Sequence, residues 1–107
     1  MTIYSDLDDI KASIGFTLDT NSRPTETDAI KLQGRAYRKI NGHLGEAKTV
    51  NDDLKEIETD LVVSQILAIH SKKPFPMILT DDHKIILDDY MDAEELVSSE
   101  ELYYGFD

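Results

Sequence analysis

Histidines are the residues of this chain best suited to metal binding or proton transfer near neutral pH. His43, His70 and His83 lie far apart in the sequence, and none belongs to an HxxxH or HExxH arrangement. An HxxxH or HExxH arrangement would place two metal ligands on one helix face. Because the histidines lack this spacing, we expect each of them at an ordinary surface or helix-end position. Asp19 and Asn21 lie in a polar loop that lacks the glycine and terminal glutamate of a calcium loop.

Cysteine and the sequence motifs of catalytic nucleophiles and phosphate-binding loops are also missing from the sequence. The chain contains no cysteine, which removes disulfides, thiolate catalysis and cysteine-rich zinc sites. It has no Walker loop, no GxGxxG motif and no GxSxG motif. Carboxylate pairs are so frequent among 22 acidic residues that their adjacency carries no catalytic signal. The sequence predicts a protein that is not an enzyme and needs no cofactor.

Size and charge narrow the remaining classes. A chain of 107 residues, 40% of them hydrophobic, can form one domain with a modest core. Its formal net charge of −11 repels phosphate chains and anionic lipids, which argues against general nucleic-acid or membrane binding. No apolar stretch is long enough to span a membrane, and the first residues do not resemble a signal peptide. We therefore expect a soluble protein that is not exported by that route.

The charge is distributed unevenly along the chain. Residues 11–50 contain seven bases and four acids, whereas residues 81–107 contain ten acids and one lysine. An acidic terminus is usually a solvated segment. The alternative is that it serves as an electrostatic partner for a basic surface.

Capping residues and helical periodicity predict a short first helix. Ser5 and Asp8 have capping-box spacing at the start of a helix over about 6–14. Turn-forming residues and a proline then predict a structured loop over 15–25.

Two longer helices are expected after this loop. Thr25 has the spacing to cap a helix that runs to about Leu44, because Gly45 suits a left-handed stop. Asn51 is the expected cap of a third helix over about 52–72.

The second helix is expected to have two unlike faces. One face is apolar and consists of Ala29, Ile30, Ala36, Tyr37, Ile40 and Leu44. The opposite side carries four bases, called here the basic face: Lys31, Arg35, Arg38 and Lys39. Such a stripe is either the solvated back of a helix or a surface for a partner.

The second half of the third helix is apolar on nearly every side. Beyond its ordinary core stripe it carries Val62, Val63, Ile66, Leu67 and Ile69. A helix of this kind must be covered on several sides, and a chain of this length has little material to cover it. We therefore expect these residues at contacts between subunits or in the core, with a tightly wrapped monomer as the alternative to oligomerisation.

Two interpretations fit residues 77–87, which follow an extended Pro-Phe-Pro connector. One is a short β-hairpin that turns at 80–83. The other, which we favour, is a helix capped by Thr80 whose apolar residues are Ile85, Ile86, Tyr90 and Met91.

The predicted fold is mainly α: a small bundle of three to four helices with an extended loop and a C-terminal arm. Residues 1–91 would form the helical domain. Residues 92–107 would form an acidic arm that ends in Tyr103, Tyr104 and Phe106, the aromatic anchors that a docking tail needs.

The order of these pieces resembles a known family. The first helix ends Ile14-Gly15-Phe16, the loop reads Asp19-Thr20-Asn21-Ser22-Arg23-Pro24-Thr25, and the next helix closes on Ile40-Asn41-Gly42-His43-Leu44-Gly45. Together with Leu79-Thr80-Asp81, these motifs resemble the head-tail connector, neck adaptor or head-completion proteins of tailed bacteriophages and tailed archaeal viruses. The resemblance covers about residues 3–91.

This resemblance implies a non-enzymatic virion protein, made in the host cytoplasm, that forms a dodecameric ring in the neck between portal and tail. Its partners would be other copies of itself, the portal protein and the next neck or tail-completion protein. Genome DNA would pass through the central channel without specific binding, and no membrane is involved. The resemblance assigns portal docking to the C-terminal arm, although residues 92–107 do not match the family pattern.

Two other classes compete with the connector. An acidic inhibitor that mimics DNA would spread its carboxylates over one continuous face, whereas the basic region from 11 to 50 interrupts the acids here. A small protein-interaction module of cellular origin is the other alternative.

If the basic face meets acids between 81 and 101 of a neighbouring subunit or partner, its charge is needed for assembly. Reversal of two of the four bases to glutamate should weaken assembly at low salt, as measured by sedimentation. Unchanged assembly would remove this hypothesis.

Overall fold

The computed structural model describes residues 3–89 and confirms the predicted helical fold class. Its helices are α1 (Leu7–Ile14), α2 (Glu26–Leu44), α3 (Asp52–His70) and α4, which covers 81–89 of the described residues. Residues 77–80 belong to neither a helix nor a strand and 81–89 are helical, so within the described residues the helix forms here and the β-hairpin does not. Within residues 3–89 no helix is long and apolar enough to cross a membrane.

The ends of α2 are those that local chemistry predicts. The Thr25 hydroxyl accepts from Asp28 N at 3.1 Å and the Asp28 carboxylate accepts from Thr25 N at 3.2 Å, which completes a capping box. Gly45 ends the helix with φ of 87°, a left-handed conformation that glycine adopts without steric cost. The loop before α2 is also structured, because the Asp19 carboxylate accepts from the backbone amides of Asn21 and Ser22 at 2.7 Å.

The third helix begins where expected and ends earlier. The Asn51 side chain accepts from Leu54 N at 2.8 Å and caps α3 as predicted. The helix stops at His70 because Lys72 adopts a left-handed conformation, with φ of 61°. The predicted end near 72 was therefore about two residues too late.

The core forms between α2 and α3, and α1 packs against α3. Fully buried aliphatic side chains come from all four helices; they include Ile10, Ile40, Leu54, Ile57, Ile66 and Leu87. Segments outside the helices complete the core, since Tyr4, Leu18, Met77 and Leu79 are also buried. Gln65 of α3 fixes one such segment by donating a hydrogen bond to the Phe75 carbonyl at 2.9 Å.

The cap of α1 differs from the prediction. Asp6, and not Ser5, is the N-cap, and its side chain accepts from Asp8 N at 2.9 Å. Ser5 is buried, and both its amide and its hydroxyl donate to Oε2 of Glu58 in α3. Ser5 therefore contacts a buried carboxyl that is distant in the sequence and does not act as the cap that local spacing predicted.

Glu58 therefore anchors the N-terminal segment to α3. Its side chain is fully buried, and Oε2 also accepts from Tyr4 N at 3.0 Å. Oε1 has no hydrogen-bond partner within residues 3–89. Burial raises the pKa of the Glu58 carboxyl, against the opposing effect of the hydrogen bonds from Ser5 and Tyr4. Folding thus shifts the protonation equilibrium of this carboxyl toward its neutral form, relative to an exposed glutamate.

This raised pKa predicts a pH dependence of stability. The contribution of Glu58 is fully present below the pKa of an unfolded glutamate, about 4.3, and is lost as pH rises through the higher pKa of the folded state. The free energy of unfolding of the wild type, measured relative to Glu58→Gln by urea denaturation, should fall as pH rises from 4 to 8. Glu56→Gln, at an exposed position of the same helix, is the matched control. A Glu58→Gln difference that is constant across this range contradicts the prediction.

Candidate partner-binding surface

The basic face is presented to solvent by the way α2 packs. Ala29, Ala36, Ile40 and Leu44 are buried on the side of α2 that faces the core, which confirms most of the predicted apolar face. All four bases on the other side are exposed: Lys31, Arg35, Arg38 and Lys39. Since α2 spans 19 residues and is capped at both ends, these bases are held on a regular helix.

Within residues 3–89, none of the four bases forms an ion pair with an acid of the chain. Arg35, Arg38 and Lys39 instead surround a shallow, open depression of about 280 Å³ that Met77 also lines. Among residues 3–89, its lining thus combines three cationic side chains with one apolar side chain. An anionic group that also carries an apolar portion would satisfy both kinds of lining.

One residue of the predicted apolar face of α2 was assigned wrongly. Ile30 is 45% exposed, whereas Leu32 and Gln33 are buried. The Gln33 amide donates to the Ser5 hydroxyl at 3.0 Å, so the N-terminal segment widens the buried side of the helix. Ile30 lies beyond the edge of that side and stays near the basic face.

The apolar second half of α3 is covered mostly within the chain. Val62 and Ile66 are fully buried, and Val63 and Ile69 are partly buried against the core. Leu67 is 42% exposed. Within residues 3–89 the chain thus covers most of this apolar surface, while Val63 and Ile69 stay partly exposed and Leu67 is exposed. Oligomerisation through this helix stays a prediction.

The exposed apolar residues concentrate after α3 instead. Phe75 is 50% exposed, Ile78 61% and Ile85 58%, and Ile86 is also exposed. Ile85 and Ile86, two of the apolar residues of the predicted helix, thus lie on its exposed side. His83 and Leu87 of α4 are buried, while Tyr90 and Met91 of the same prediction lie outside the described residues.

His43 and His83 both hold α4 in place. His43 Nε2 lies 2.7 Å from Asp88 Oδ1, which joins the end of α2 to α4. His83 Nδ1 accepts from Thr80 N at 3.2 Å, and the Thr80 hydroxyl accepts from His83 N at 3.1 Å. His83 Nε2 lies 3.5 Å from Asp60 Oδ2 of α3. His83 thus lies at a helix end, one of the two positions expected for the histidines, and its side chain is buried there.

His70 fits the predicted helix-end position and joins α3 to the loop before α2. Its ring stacks on Phe16 with the centroids 3.9 Å apart, and its Nδ1 lies 3.0 Å from the Arg23 carbonyl. Among residues 3–89, no group of three or more histidine, aspartate or glutamate side chains is arranged to hold a metal ion. The histidines of the described region have structural contacts in place of a shared site.

The predicted portal-docking residues Tyr103, Tyr104 and Phe106 lie outside the described residues. No protein-family model, curated protein or solved structure matches this chain. The basic face is consequently interpreted from its own geometry and charge.

Burial separates the core residues of α3 from the residue available to a partner. Ile66→Ala should lower the free energy of unfolding by about 2–5 kcal/mol because it leaves a cavity in the core. Leu67→Ala, at an exposed position, should lower it by less than about 1 kcal/mol. Urea denaturation of both variants measures the difference, and equal losses would show that the two positions have been assigned wrongly.

Proposed function

We propose that this chain is a non-enzymatic structural protein that forms the ring of a head-tail connector between the portal and the tail of a tailed virus. The single observation that supports this most strongly is the basic face, whose four exposed bases lack acidic partners within residues 3–89. A protein of net charge −11 that keeps such a stripe unpaired has a surface suited to an acidic protein partner.

A ring requires two unlike surfaces on each subunit, so that one surface of a copy meets the other surface of the next copy. The basic face is one such surface. The acidic residues from 81 onward supply the other. The exposed isoleucines of α4 add apolar area to the acidic side, and apolar area supplies affinity where charge supplies orientation.

The overall charge is compatible with a DNA channel. A conduit must let the genome pass, and a net negative subunit repels phosphate and so avoids tight binding. In this proposal the portal and the next neck or tail-completion protein are the other partners, assembly occurs in the host cytoplasm, and the mature location is the neck of the virion.

Native mass spectrometry and negative-stain electron microscopy of the full chain test this function. At low salt we expect a closed, ring-shaped oligomer, with a dodecamer as the family resemblance implies. Its population should fall as salt increases, because screening weakens contacts between exposed charges.

A chain that remains monomeric or dimeric at high protein concentration and low salt contradicts the ring. If such a species also inhibited a nuclease or a polymerase, the competing DNA-mimic interpretation would replace the connector.

A further inference from the structure

We propose that the basic face of one copy binds the outward face of α4 of a second copy. This inference rests on the proposed self-assembly and names the surface that each subunit contributes. It assigns an interaction role to Asp82 and Asp89, which the sequence placed only in a general acidic region, and to Ile85, which it named only as an apolar residue of the predicted helix.

The outward face of α4 follows from which of its residues are buried. His83 and Leu87, four residues apart, are buried against the body of the protein. The opposite side of the helix therefore presents Ile85, which is 58% exposed. Residues three or four positions away on a helix are neighbours on its surface. The aspartates at these distances from Ile85 therefore surround it on this side: Asp81, Asp82, Asp88 and Asp89.

Three of these aspartates are available for a partner. Asp88 already contacts His43 of its own chain. Asp81, Asp82 and Asp89 are exposed and form no ion pair within residues 3–89. The outward face of α4 thus carries unpaired negative charge around an apolar centre.

This arrangement is complementary to the depression on α2. Arg35, Arg38 and Lys39 can each pair with a carboxylate, and arginine can do so through two parallel hydrogen bonds. Met77 is 6% exposed and lines the depression with the remaining part of its side chain, so it offers Ile85 a small apolar contact. The two surfaces therefore match in both charge and apolar character.

The contact must come from a second copy because α4 of the same chain is held elsewhere. Its inner side is fixed by the buried Leu87 and by the approach of His83 to Asp60, and the His43 contact to Asp88 ties one edge of the helix to the end of α2. In that position none of the α4 aspartates within the described residues pairs with a base of the basic face.

A second acidic region of the chain fits less well. Asp9, Asp52, Glu56 and Asp60 surround another depression. Lys55 lies among them and pairs with Asp9 at 3.1 Å, which reduces the negative charge there. The large apolar side chains that are exposed lie outside the residues lining this depression, so it offers charge without an apolar contact.

Reciprocal charge reversal tests the contact. The variants Arg35→Glu/Lys39→Glu and Asp82→Lys/Asp89→Lys should each self-associate at least about tenfold more weakly than the wild type at low salt. An equimolar mixture of the two should regain association, because the reversed α2 of one variant can then accept the reversed α4 of the other and both remaining natural faces also match. Analytical ultracentrifugation and native mass spectrometry measure the affinity and the composition of the mixed species.

Two further variants separate this contact from general charge and folding effects. Lys72→Glu/Lys73→Glu makes the same change in net charge as Arg35→Glu/Lys39→Glu, but at exposed bases after α3. This variant should associate like the wild type. Ile85→Ser removes the apolar centre without a charge change and should weaken association while the urea midpoint stays unchanged. This variant tests the contact even if lysine in the first turn of α4 prevents folding.

The outcomes distinguish this contact from the proposed ring. If both charge-reversed variants form rings as readily as the wild type, the contact is overturned and the connector function still stands. Loss of association in each variant without recovery in the mixture also overturns the contact. Recovery in the mixture as a closed dimer supports the contact and overturns the ring, whereas a wild type that stays monomeric overturns both.

Discussion

The burial of α3 is the constraint to which the other elements are adapted. This helix is apolar around much of its circumference, so α2 alone cannot cover it. Polar residues of α3 attach the remaining pieces: Glu58 binds the N-terminal segment, Asp60 lies near α4, and Gln65 holds the extended segment after the helix. Each attachment brings apolar side chains over α3, and together they cover most of its apolar surface.

This wrapping also decides which surfaces remain for partners. One side of α2 is committed to the core, and its opposite side therefore projects Arg35 and Lys39 into solvent. Leu87 is used to bury α4, which leaves Ile85 outside. The composition suggested that the exposed apolar surface would lie on α3. In the structure most of it lies on the segment that follows α3. Charge on α2 and α4 then provides the specificity that a small apolar patch lacks.

The charged residues of the candidate surface could be predicted from the sequence, whereas its apolar residues could not. The basic face could be identified from helical periodicity, because charged side chains at regular spacing stay outside unless paired. The placement of Ile30 and Ile85 could not, since each isoleucine lies near the boundary of a helix face and the neighbouring segments decide whether it is covered. The role of Met77 beside the basic face depends on the path of an extended segment that has no periodic pattern.

The sequence by itself determined the fold class and most helix ends, because a cap such as Thr25 with Asp28, or a stop such as Gly45, involves only neighbouring residues. Tertiary structure decided the roles of Ser5 and Glu58, which lie 53 residues apart and meet in the core. A buried carboxyl and a local cap compete for the same serine. Burial makes an unsatisfied polar group costly, and this long-range requirement is not visible in local spacing.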